Sequence, residues 1–221
     1  MTDERKRIVR TAYDRIASRY AEWSGRIADE ARDRMVEAFA TPLADGARIL
    51  DLGCGSGLPS TRLLARRFRV LGVDASTAQV ERARRNVPSA EFLVGDIGEI
   101  DIPDASFDGV VALYAISHVP REEHAALFSK VYRWLRPGGS FLATLGATES
   151  PDWTGPWLGE EMFFSSFGAD DYRAMLRAAG FALRVDEIAV TPEPEGDVAF
   201  LWVIATKPAA EVRAGASGDA E

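Results

Sequence analysis

Three glycines at alternate positions form the first stretch of this chain with an evident chemical use. Residues 49–60 read ILDLGCGSGLPS, so Gly53, Gly55 and Gly57 follow an apolar run that contains Asp51. Glycine costs backbone entropy, and three so close together indicate that a ligand must approach the bare backbone. A loop that leaves a strand and opens a helix also offers free N–H groups to an anionic group. We therefore predict a ligand-binding loop here.

The glycine loop matches neither common phosphate-binding pattern. A dinucleotide loop counted from Gly53 needs glycine at position 58, where this chain has Leu58. A P-loop would end in Gly-Lys followed by Ser or Thr, and no such run occurs. The pattern thus disfavours a nicotinamide-dependent oxidoreductase and a nucleoside triphosphatase.

Two acidic residues follow the next two predicted strands. Asp74 ends VLGVD, where its carboxylate can accept two hydrogen bonds from a ribose diol. Asp96 follows in FLVGD, where an adenine amino group can donate to it while Ile97 packs against the ring. These positions predict a nucleoside site without a phosphate clamp.

Two histidines differ in their expected roles. His118 lies just past the fourth predicted strand, where a cleft should open, and an ordinary pKa near 6.5 suits a base that takes a proton from a hydroxyl or amine. A loop histidine that caps the turn before Pro120 fits the sequence equally well. His124 lies inside a helical run, REEHAALFSKVYRWL, and we expect it at the surface.

An aromatic segment interrupts the pattern at residues 147–167. It shows neither helical nor alternating periodicity, which indicates an insertion able to cap a cleft. Apolar side chains of this kind form either a ligand wall or a satellite core, and we expect the wall for one or two of them. The predicted acceptor-binding residues are Tyr13, Trp157, Met162 and Phe163.

The remaining elements follow from periodicity. Residues 5–23 and 28–40 predict two helices ahead of the glycine loop, both candidates for a lid. Short β-branched runs then alternate with helical runs over residues 47–146, which favours a parallel sheet covered on both faces. Residues 181–190 and 198–206 predict a hairpin whose last strand runs antiparallel to its neighbour.

Composition sets the outer limits. The 221 residues suit one domain, expected over residues 1–206, with N-terminal helices at 1–42 and an unfolded polar tail at 207–221. A net charge of −8 argues against a nucleic-acid partner. One cysteine, no apolar leader and no long apolar run predict a cytoplasmic protein. Two histidines and one cysteine offer no zinc cluster, and the fourth strand ends without carboxylates, so we predict no metal.

A family resemblance unites these motifs. The order LDLGCGSG, VLGVD, FLVGD, FDGVVALYAISHV and LRPGGSFL resembles the class I S-adenosylmethionine-dependent methyltransferases, in the branch that acts on small molecules. The resemblance covers about residues 10–206. It implies an α/β fold with a Rossmann-like, doubly wound seven-stranded sheet, mostly parallel with an antiparallel C-terminal hairpin strand, and an N-terminal helical lid. It also implies S-adenosylmethionine as cofactor.

The resemblance assigns roles to individual positions. The loop glycines would face the methionine portion of the cofactor, with Asp51 near its ammonium group and Leu113 beside the sulfonium. Tyr20 would close over the amino-acid end, although a helix-packing tyrosine fits equally well. Cys54 is expected as a small buried filler between the glycines. The full implied cofactor set is Tyr20, Asp51, Gly53, Cys54, Gly55, Gly57, Asp74, Ala75, Gln79, Asp96, Ile97 and Leu113.

The expected activity is metal-independent, in-line methyl transfer to an oxygen, nitrogen or carbon of a small metabolite. Methyltransferases that act on amides or exocyclic amines of proteins and nucleic acids carry Asn or Asp followed by Pro-Pro-aromatic at the end of the fourth strand. This chain has LYAI there, at residues 113–116, which favours a small metabolite as acceptor. The alternative is a module or partner subunit that binds S-adenosylmethionine without methyl transfer. We expect a monomer or homodimer with a small-molecule acceptor and neither nucleic-acid nor membrane partners.

Overall fold

A seven-stranded sheet with helices on both faces organises the computed structural model, which describes residues 3–209. The helices are α1 (Glu4–Ser24), α2 (Glu30–Ala40), α3 (Ser60–Leu64), α4 (Thr77–Asn86), α5 (His124–Trp134) and α6 (Ala169–Ala178). The strands are β1 (Arg48–Leu52), β2 (Arg69–Asp74), β3 (Glu91–Val94), β4 (Phe107–Ala112), β5 (Leu135–Gly146), β6 (Ser150–Trp157), β7 (Glu160–Ser166), β8 (Ala182–Glu193) and β9 (Gly196–Thr206).

The sheet has the order β3-β2-β1-β4-β5-β9-β8. The first five strands in that order run parallel, and β9 is antiparallel to both β5 and β8. The order reverses between β1 and β4, which is the point where open α/β sheets bind ligands. The predicted fold class, including the antiparallel strand of the C-terminal hairpin, is confirmed.

The two faces of the sheet belong to different cores. Leu50 and Val110 pack on the side of α5 and α6, whereas Ile49 and Val111 pack with Phe39 of α2 on the other side. Successive strand residues point to opposite faces, so both faces are buried and the strands read as continuous apolar runs. This burial holds the carboxyl ends of β1, β2 and β4 at one edge.

The two N-terminal helices have different positions. Lys6 of α1 forms an ion pair with Asp96 (3.1 Å), and Asp14 accepts a hydrogen bond from the Ser76 hydroxyl (2.7 Å) ahead of α4. These contacts hold α1 across the carboxyl ends of β2 and β3. In contrast, α2 buries Met35 and Phe39 in a sheet core. Only α1 therefore has the position expected of a lid.

The aromatic segment forms an antiparallel hairpin, β6–β7, separate from the main sheet. Its sequence lacks strand periodicity, because the register shifts between Ser150 and Trp153 and two prolines lie in β6. Met162 of this hairpin packs against Ile16 of α1. The hairpin is thereby attached to α1.

His124 is buried, which corrects its expected surface position. It is fully buried at the start of α5, where Nε2–H donates to the carbonyl of Val119 (2.9 Å) and Nδ1 accepts from the Tyr172 hydroxyl (3.0 Å). Burial lowers its pKa, so the ring is neutral. The partners lie 5 and 48 residues away, and local helical periodicity gave no sign of the second.

The tail predicted at residues 207–221 lies largely outside the described residues, which end at 209. Lys207 is described, and its ammonium donates to the carbonyls of Tyr132 and Leu135. Within residues 3–209, no helix has the length and apolar character needed to cross a bilayer.

Candidate active site

Two adjoining cavities open at the carboxyl ends of the strands. The hairpin cavity, about 430 Å³, lies between α1, the start of α2, the glycine loop and the two hairpins. The adenosine-side cavity, named for the ligand half predicted there, is about 740 Å³ and lies between α1 and the ends of β2, β3 and β4. Both cavities are lined by Tyr13, Tyr20, Gly53, Gly55, Leu113, Tyr114 and His118. An elongated ligand can therefore span the two and pass these shared residues.

The glycine loop uses its three glycines differently. All three have positive φ, at +72° for Gly53, +52° for Gly55 and +76° for Gly57. A Cβ at Gly53 would overlap Ala115, and one at Gly57 would lie 3.1 Å from Val87. A Cβ at Gly55 would have no atom within 4 Å. Gly55 is therefore the position where the backbone is left open toward the cavities.

Asp74 connects the glycine loop to the end of β2. Its Oδ2 accepts the N–H of Gly55 (2.8 Å) and its Oδ1 accepts the N–H of Ser76 (2.9 Å). Burial outweighs these two bonds and raises its pKa to about 6. Each carboxylate oxygen accepts up to two hydrogen bonds, so Asp74 can still accept one at each oxygen from a ligand in the adenosine-side cavity.

Asp51, near the end of β1, adds a buried carboxylate to the lining of the hairpin cavity. Its Oδ2 accepts the hydroxyl of Thr61 (2.6 Å), and the residue lines the hairpin cavity. Burial raises its pKa to about 6. No Lys or Arg lies within ion-pair distance among residues 3–209. A ligand cation would satisfy it.

Asp96 follows β3 at the carboxyl edge of the sheet, and its carboxylate already has hydrogen-bond and ion-pair partners. Oδ1 accepts the N–H of Gly98 (2.7 Å), and Oδ2 pairs with Lys6, which also contacts Glu123 at 2.7 Å. Asp96, Ile97 and Ala75 line the adenosine-side cavity. An adenine amino group at Asp96 would have to share this carboxylate with Lys6.

His118 lies at the junction of the two cavities in a defined tautomer. Its Nδ1 is 3.0 Å from the carbonyl oxygen of Phe163, which only accepts, so Nδ1 carries the proton. Nε2 therefore accepts from the Tyr13 hydroxyl, 2.8 Å away. Burial lowers the pKa of His118 to about 4. The ring is neutral at physiological pH, with its Nε2 lone pair directed to Tyr13 at the junction.

Four predicted site residues line neither cavity, which corrects their assignment. Gly57 faces α4, and Gln79 is buried within α4 at 1 % exposure. Met162 and Phe163 are fully buried, because Met162 packs against Ile16 of α1 and the Arg5 guanidinium of α1 lies over the Phe163 ring. Phe163 still contributes its carbonyl to His118. The predicted residues that do line a cavity are Tyr13, Tyr20, Asp51, Gly53, Cys54, Gly55, Asp74, Ala75, Asp96, Ile97, Leu113, His118 and Trp157.

Several residues that line the hairpin cavity were not predicted from the sequence, among them Asp29, Arg32, Tyr114 and Glu193. Asp29 precedes α2, where it accepts the N–H of Arg32 (2.9 Å) and the hydroxyl of Tyr114. Arg32 and Glu193 also line this cavity. Tyr114 has a φ of +57°, unusual for a non-glycine residue. A helix-capping pattern could have flagged Asp29, whereas nothing local marks Glu193 in its turn-rich segment.

Comparison with known proteins identifies the domain that carries this site. Residues 49–139 match the family model described as "Methyltransferase domain". A relative, 27-O-demethylrifamycin SV methyltransferase from Amycolatopsis mediterranei, is 39% identical over 120 residues, which cover 50% of this chain and 43% of that protein. Trans-aconitate 2-methyltransferase from Variovorax paradoxus is 41% identical over 101 residues, covering 44% and 38%.

Residues 49–139 are a methyltransferase domain, and the fold around them is that of solved S-adenosylmethionine-dependent methyltransferases. The chain spans less than half the length of these two curated relatives. The cofactor of the family is S-adenosylmethionine, and a solved methyltransferase from Burkholderia thailandensis, the 1,6-didemethyltoxoflavin-N1-methyltransferase, contains bound S-adenosylhomocysteine. That structure shares the fold with a TM-score of 0.69 at 21% identity, covering 93% of this chain and 89% of its own.

The same fold occurs in a protein with a different name. The [4+2]-cyclase SpnF has a TM-score of 0.72 at 20% identity, covering 91% of this chain and 95% of its own. At this identity the likeness shows the fold alone, and a shared fold does not establish a shared reaction. The reaction of this chain therefore depends on the residues of its site and not on the fold alone.

The site residues fit S-adenosylmethionine on two observations. Gly55 leaves open space that a Cβ would fill, and the two adjoining cavities that it lines also hold the carboxylates of Asp51, which is buried, and Asp74, which is partly buried. Within the described residues, no three His, Cys, Asp or Glu side chains gather as metal ligands. The metal-independent reaction stays a prediction.

Substitution of the loop glycines is expected to separate folding from cofactor binding. Gly55→Ala should weaken cofactor affinity about 10-fold or more, because the methyl group enters space left for the ligand, while unfolding free energy falls by only about 1 kcal/mol from the positive φ. Gly53→Ala should lower the melting temperature further, because its Cβ overlaps Ala115. Calorimetric titration and thermal melts measure the two effects.

Gly138→Ala is the matched control, since Gly138 has a φ of +83° and no atom within 4 Å of its Cβ position, far from the loop. It should reproduce the backbone cost of Gly55→Ala and leave cofactor affinity unchanged. Equal cofactor affinity in Gly55→Ala and wild type would contradict the proposal that the cofactor lies against the backbone at Gly55.

Cofactor affinity is expected to increase with pH up to about 7. The pKa values of Asp51 and Asp74 are raised to about 6, and only the ionised carboxylates bind an ammonium or accept from a ribose. If both must be ionised, affinity at pH 5 should be about 100-fold lower than at pH 8. Titration in buffers of different ionisation enthalpy should also show proton release near pH 6.

The raised pKa values of Asp51 and Asp74 also determine how the stability of the protein without cofactor changes with pH. A carboxyl whose folded pKa exceeds its ordinary 3.8 binds more protons in the folded state, so the two residues reduce stability as pH rises from about 4 to 6. A pH-independent cofactor Kd between 5 and 8 would exclude these carboxylates from the binding site.

Proposed function

We propose that this protein transfers the methyl group of S-adenosylmethionine to a small-molecule acceptor bound in the hairpin cavity. The observation that carries the proposal is the junction of two cavities at His118, Tyr13 and Gly55. A cofactor that spans the junction would have its adenosine beside Asp74 and its methionine beside Asp51. The rest of the hairpin cavity, which extends toward Trp157 and the β8–β9 hairpin, then stays open to an acceptor.

Each cofactor contact follows from a group of defined chemistry. Asp74 accepts the ribose hydroxyls, and Ile97 packs against the adenine. Asp51 receives the ammonium group, and Tyr20 covers the amino-acid end. When bound, the cofactor supplies a methyl group that leaves its sulfur as the acceptor attacks from the opposite side. The protein's main contribution is positioning, which lowers barriers of this kind by about 7 to 11 kcal/mol in favourable cases.

His118 is proposed as the base for an acceptor that must lose a proton. Its neutral Nε2 accepts the Tyr13 hydroxyl in the unliganded cavity, and an acceptor O–H or N–H that replaces this hydroxyl donates to the same lone pair. As the new bond to the methyl carbon forms, the acceptor proton moves to Nε2. The Phe163 carbonyl holds Nδ1–H and so keeps the lone pair in place.

The main alternative is a module that binds S-adenosylmethionine without transferring its methyl group. Such a module would use the same cofactor residues as the enzyme, including Asp51, Gly55 and Asp74. The presence of a neutral histidine at the junction, with a cavity beside it, favours transfer instead.

The test is incubation of the full chain with methyl-labelled S-adenosylmethionine and a panel of phenols, carboxylic acids and amines. Labelled product identified by mass spectrometry supports the proposal. Tight cofactor binding with no transfer to any acceptor supports the binding module. Absence of both binding and transfer excludes the cofactor assignment as well.

We further propose a cytoplasmic protein without nucleic-acid partners. One cysteine, Cys54, which is buried, and a net charge of −8 support this assignment. The acceptor atom, whether oxygen, nitrogen or carbon, is left to the labelled-product experiment.

A further inference from the structure

We infer that the acceptor carries a positively charged amine and that Glu193, at the tip of the β8–β9 hairpin, selects it. The inference rests on the proposed function and names the substrate class of that site. The amine is an anchoring group, and the atom that receives the methyl lies at the junction near His118.

Glu193 faces the hairpin cavity without a partner of its own. It ends β8 and pairs in register with Gly196 across the turn. Among residues 3–209 no hydrogen bond or ion pair engages its carboxylate, although it lines the cavity and is half-buried. The neighbouring Glu195, by contrast, accepts the indole N–H of Trp23 at 2.9 Å. A carboxylate withdrawn from water is costly unless a cation or donor compensates it.

The charges around the hairpin cavity favour a cationic occupant. The charged side chains that line it are Asp29, Asp51, Glu193 and Arg32. Arg32 is already engaged, since its Nε lies 3.1 Å from Asp33 and its Nη1 lies 3.9 Å from Asp29. When the carboxyls are ionised, the lining carries two net negative charges. S-adenosylmethionine, with a sulfonium, an ammonium and a carboxylate, neutralises one of them and leaves one for the acceptor.

The titration of Glu193 agrees with this balance. Burial, followed by the charges of Glu195 and Asp29, raises its pKa to about 7. No ion pair or hydrogen bond to Glu193 offsets these effects in the described part of the chain, so a bound ammonium would lower the pKa and gain the corresponding free energy.

Aromatic faces supply the second half of an ammonium site. Tyr20, Trp23 and Trp157 line the same cavity. The rings of Tyr20 and Trp23 stack with centroids 5.9 Å apart, and Trp157 meets Trp23 edge-on at 5.4 Å. Cations bind favourably to the faces of tryptophan and tyrosine. A carboxylate acceptor would instead face Asp29 and Glu193 with only Arg32 to compensate.

Binding of three matched probes to the full chain saturated with S-adenosylhomocysteine tests the inference. The probes are 2-phenylethylamine, 2-phenylethanol and 3-phenylpropionate, which share a phenyl ring and differ in charge. We expect the amine to bind about 10-fold or more tighter than either other probe. Glu193→Gln, which is isosteric and lies at a hairpin tip, should remove most of that difference and leave S-adenosylhomocysteine affinity within twofold.

Glu195→Gln is the control variant, because it removes a charge at the same turn from a residue that already has Trp23 as partner. It should change amine affinity less than threefold. Preferential binding of the carboxylate, an amine affinity that Glu193→Gln leaves unchanged, or no amine binding at about 10 mM would each overturn the inference. The readout needs no methyl transfer, so amine selectivity without turnover would contradict the proposed function alone.

Discussion

Replacing Asp74 with asparagine is expected to weaken S-adenosylmethionine binding by about 100-fold. The substitution keeps the side-chain volume but exchanges one acceptor oxygen for a donor, and it removes the charge that would strengthen both proposed hydrogen bonds to the ribose. Hydrogen bonds to charged groups contribute about 1.5 to 3 kcal/mol each, and 2.7 kcal/mol corresponds to about 100-fold in affinity. Isothermal titration with S-adenosylhomocysteine measures the change without requiring an acceptor.

Asp74 also holds the N–H groups of Gly55 and Ser76, so the fold needs its own control. The amide oxygen of asparagine can retain one of these bonds, and thermal melts will show what is lost. Asp45→Asn is the matched surface variant, since Asp45 is exposed and pairs only with Arg67 among the described residues. Unchanged cofactor affinity in a folded Asp74→Asn protein would mean that the nucleoside binds elsewhere.

Replacing His118 with alanine is expected to lower kcat by about 100- to 10,000-fold for an acceptor that must lose a proton. Affinity for S-adenosylhomocysteine should stay within about threefold, because the proposed partner of His118 is the acceptor. The pKa of His118 is lowered to about 4, so it is neutral from pH 6 to 9 and the fractional loss should be constant over that range. Steady-state kinetics with the best acceptor from the panel measure it.

Two further variants separate a base from a structural loop residue. His118→Asn keeps a side-chain N–H that can donate to the Phe163 carbonyl, so it should fold as the wild type does and still lose activity. Tyr13→Phe removes only the hydroxyl that contacts Nε2 and should change kcat by about 10-fold or less. Full activity in a folded His118→Asn protein would assign His118 a structural role.

The alternation of strands and helices could be predicted because it depends on local periodicity. Strands such as β1 and β4 are buried on both faces, so their apolar runs are continuous, and turn residues separate them from amphipathic helices. The β6–β7 hairpin escaped prediction because its prolines and shifted register break the alternation.

The site residues that could be predicted are also those whose positions depend on local sequence. Gly53, Gly55, Asp51 and Asp74 follow directly from strand ends, since parallel strands bring their carboxyl termini to one edge whatever surrounds them. By itself the sequence therefore determined the fold class and the acidic residues at this edge of the sheet, where we propose the nucleoside site.

Only the tertiary structure decided the acceptor side. The Tyr13 hydroxyl meets His118 across 105 residues, and the His118 tautomer depends on a carbonyl 45 residues further along the chain. The charge balance of the hairpin cavity sums side chains from α2, β1 and the β8–β9 turn. Burial and electrostatic potential depend on all neighbours at once, and these neighbours come from segments that no local pattern connects.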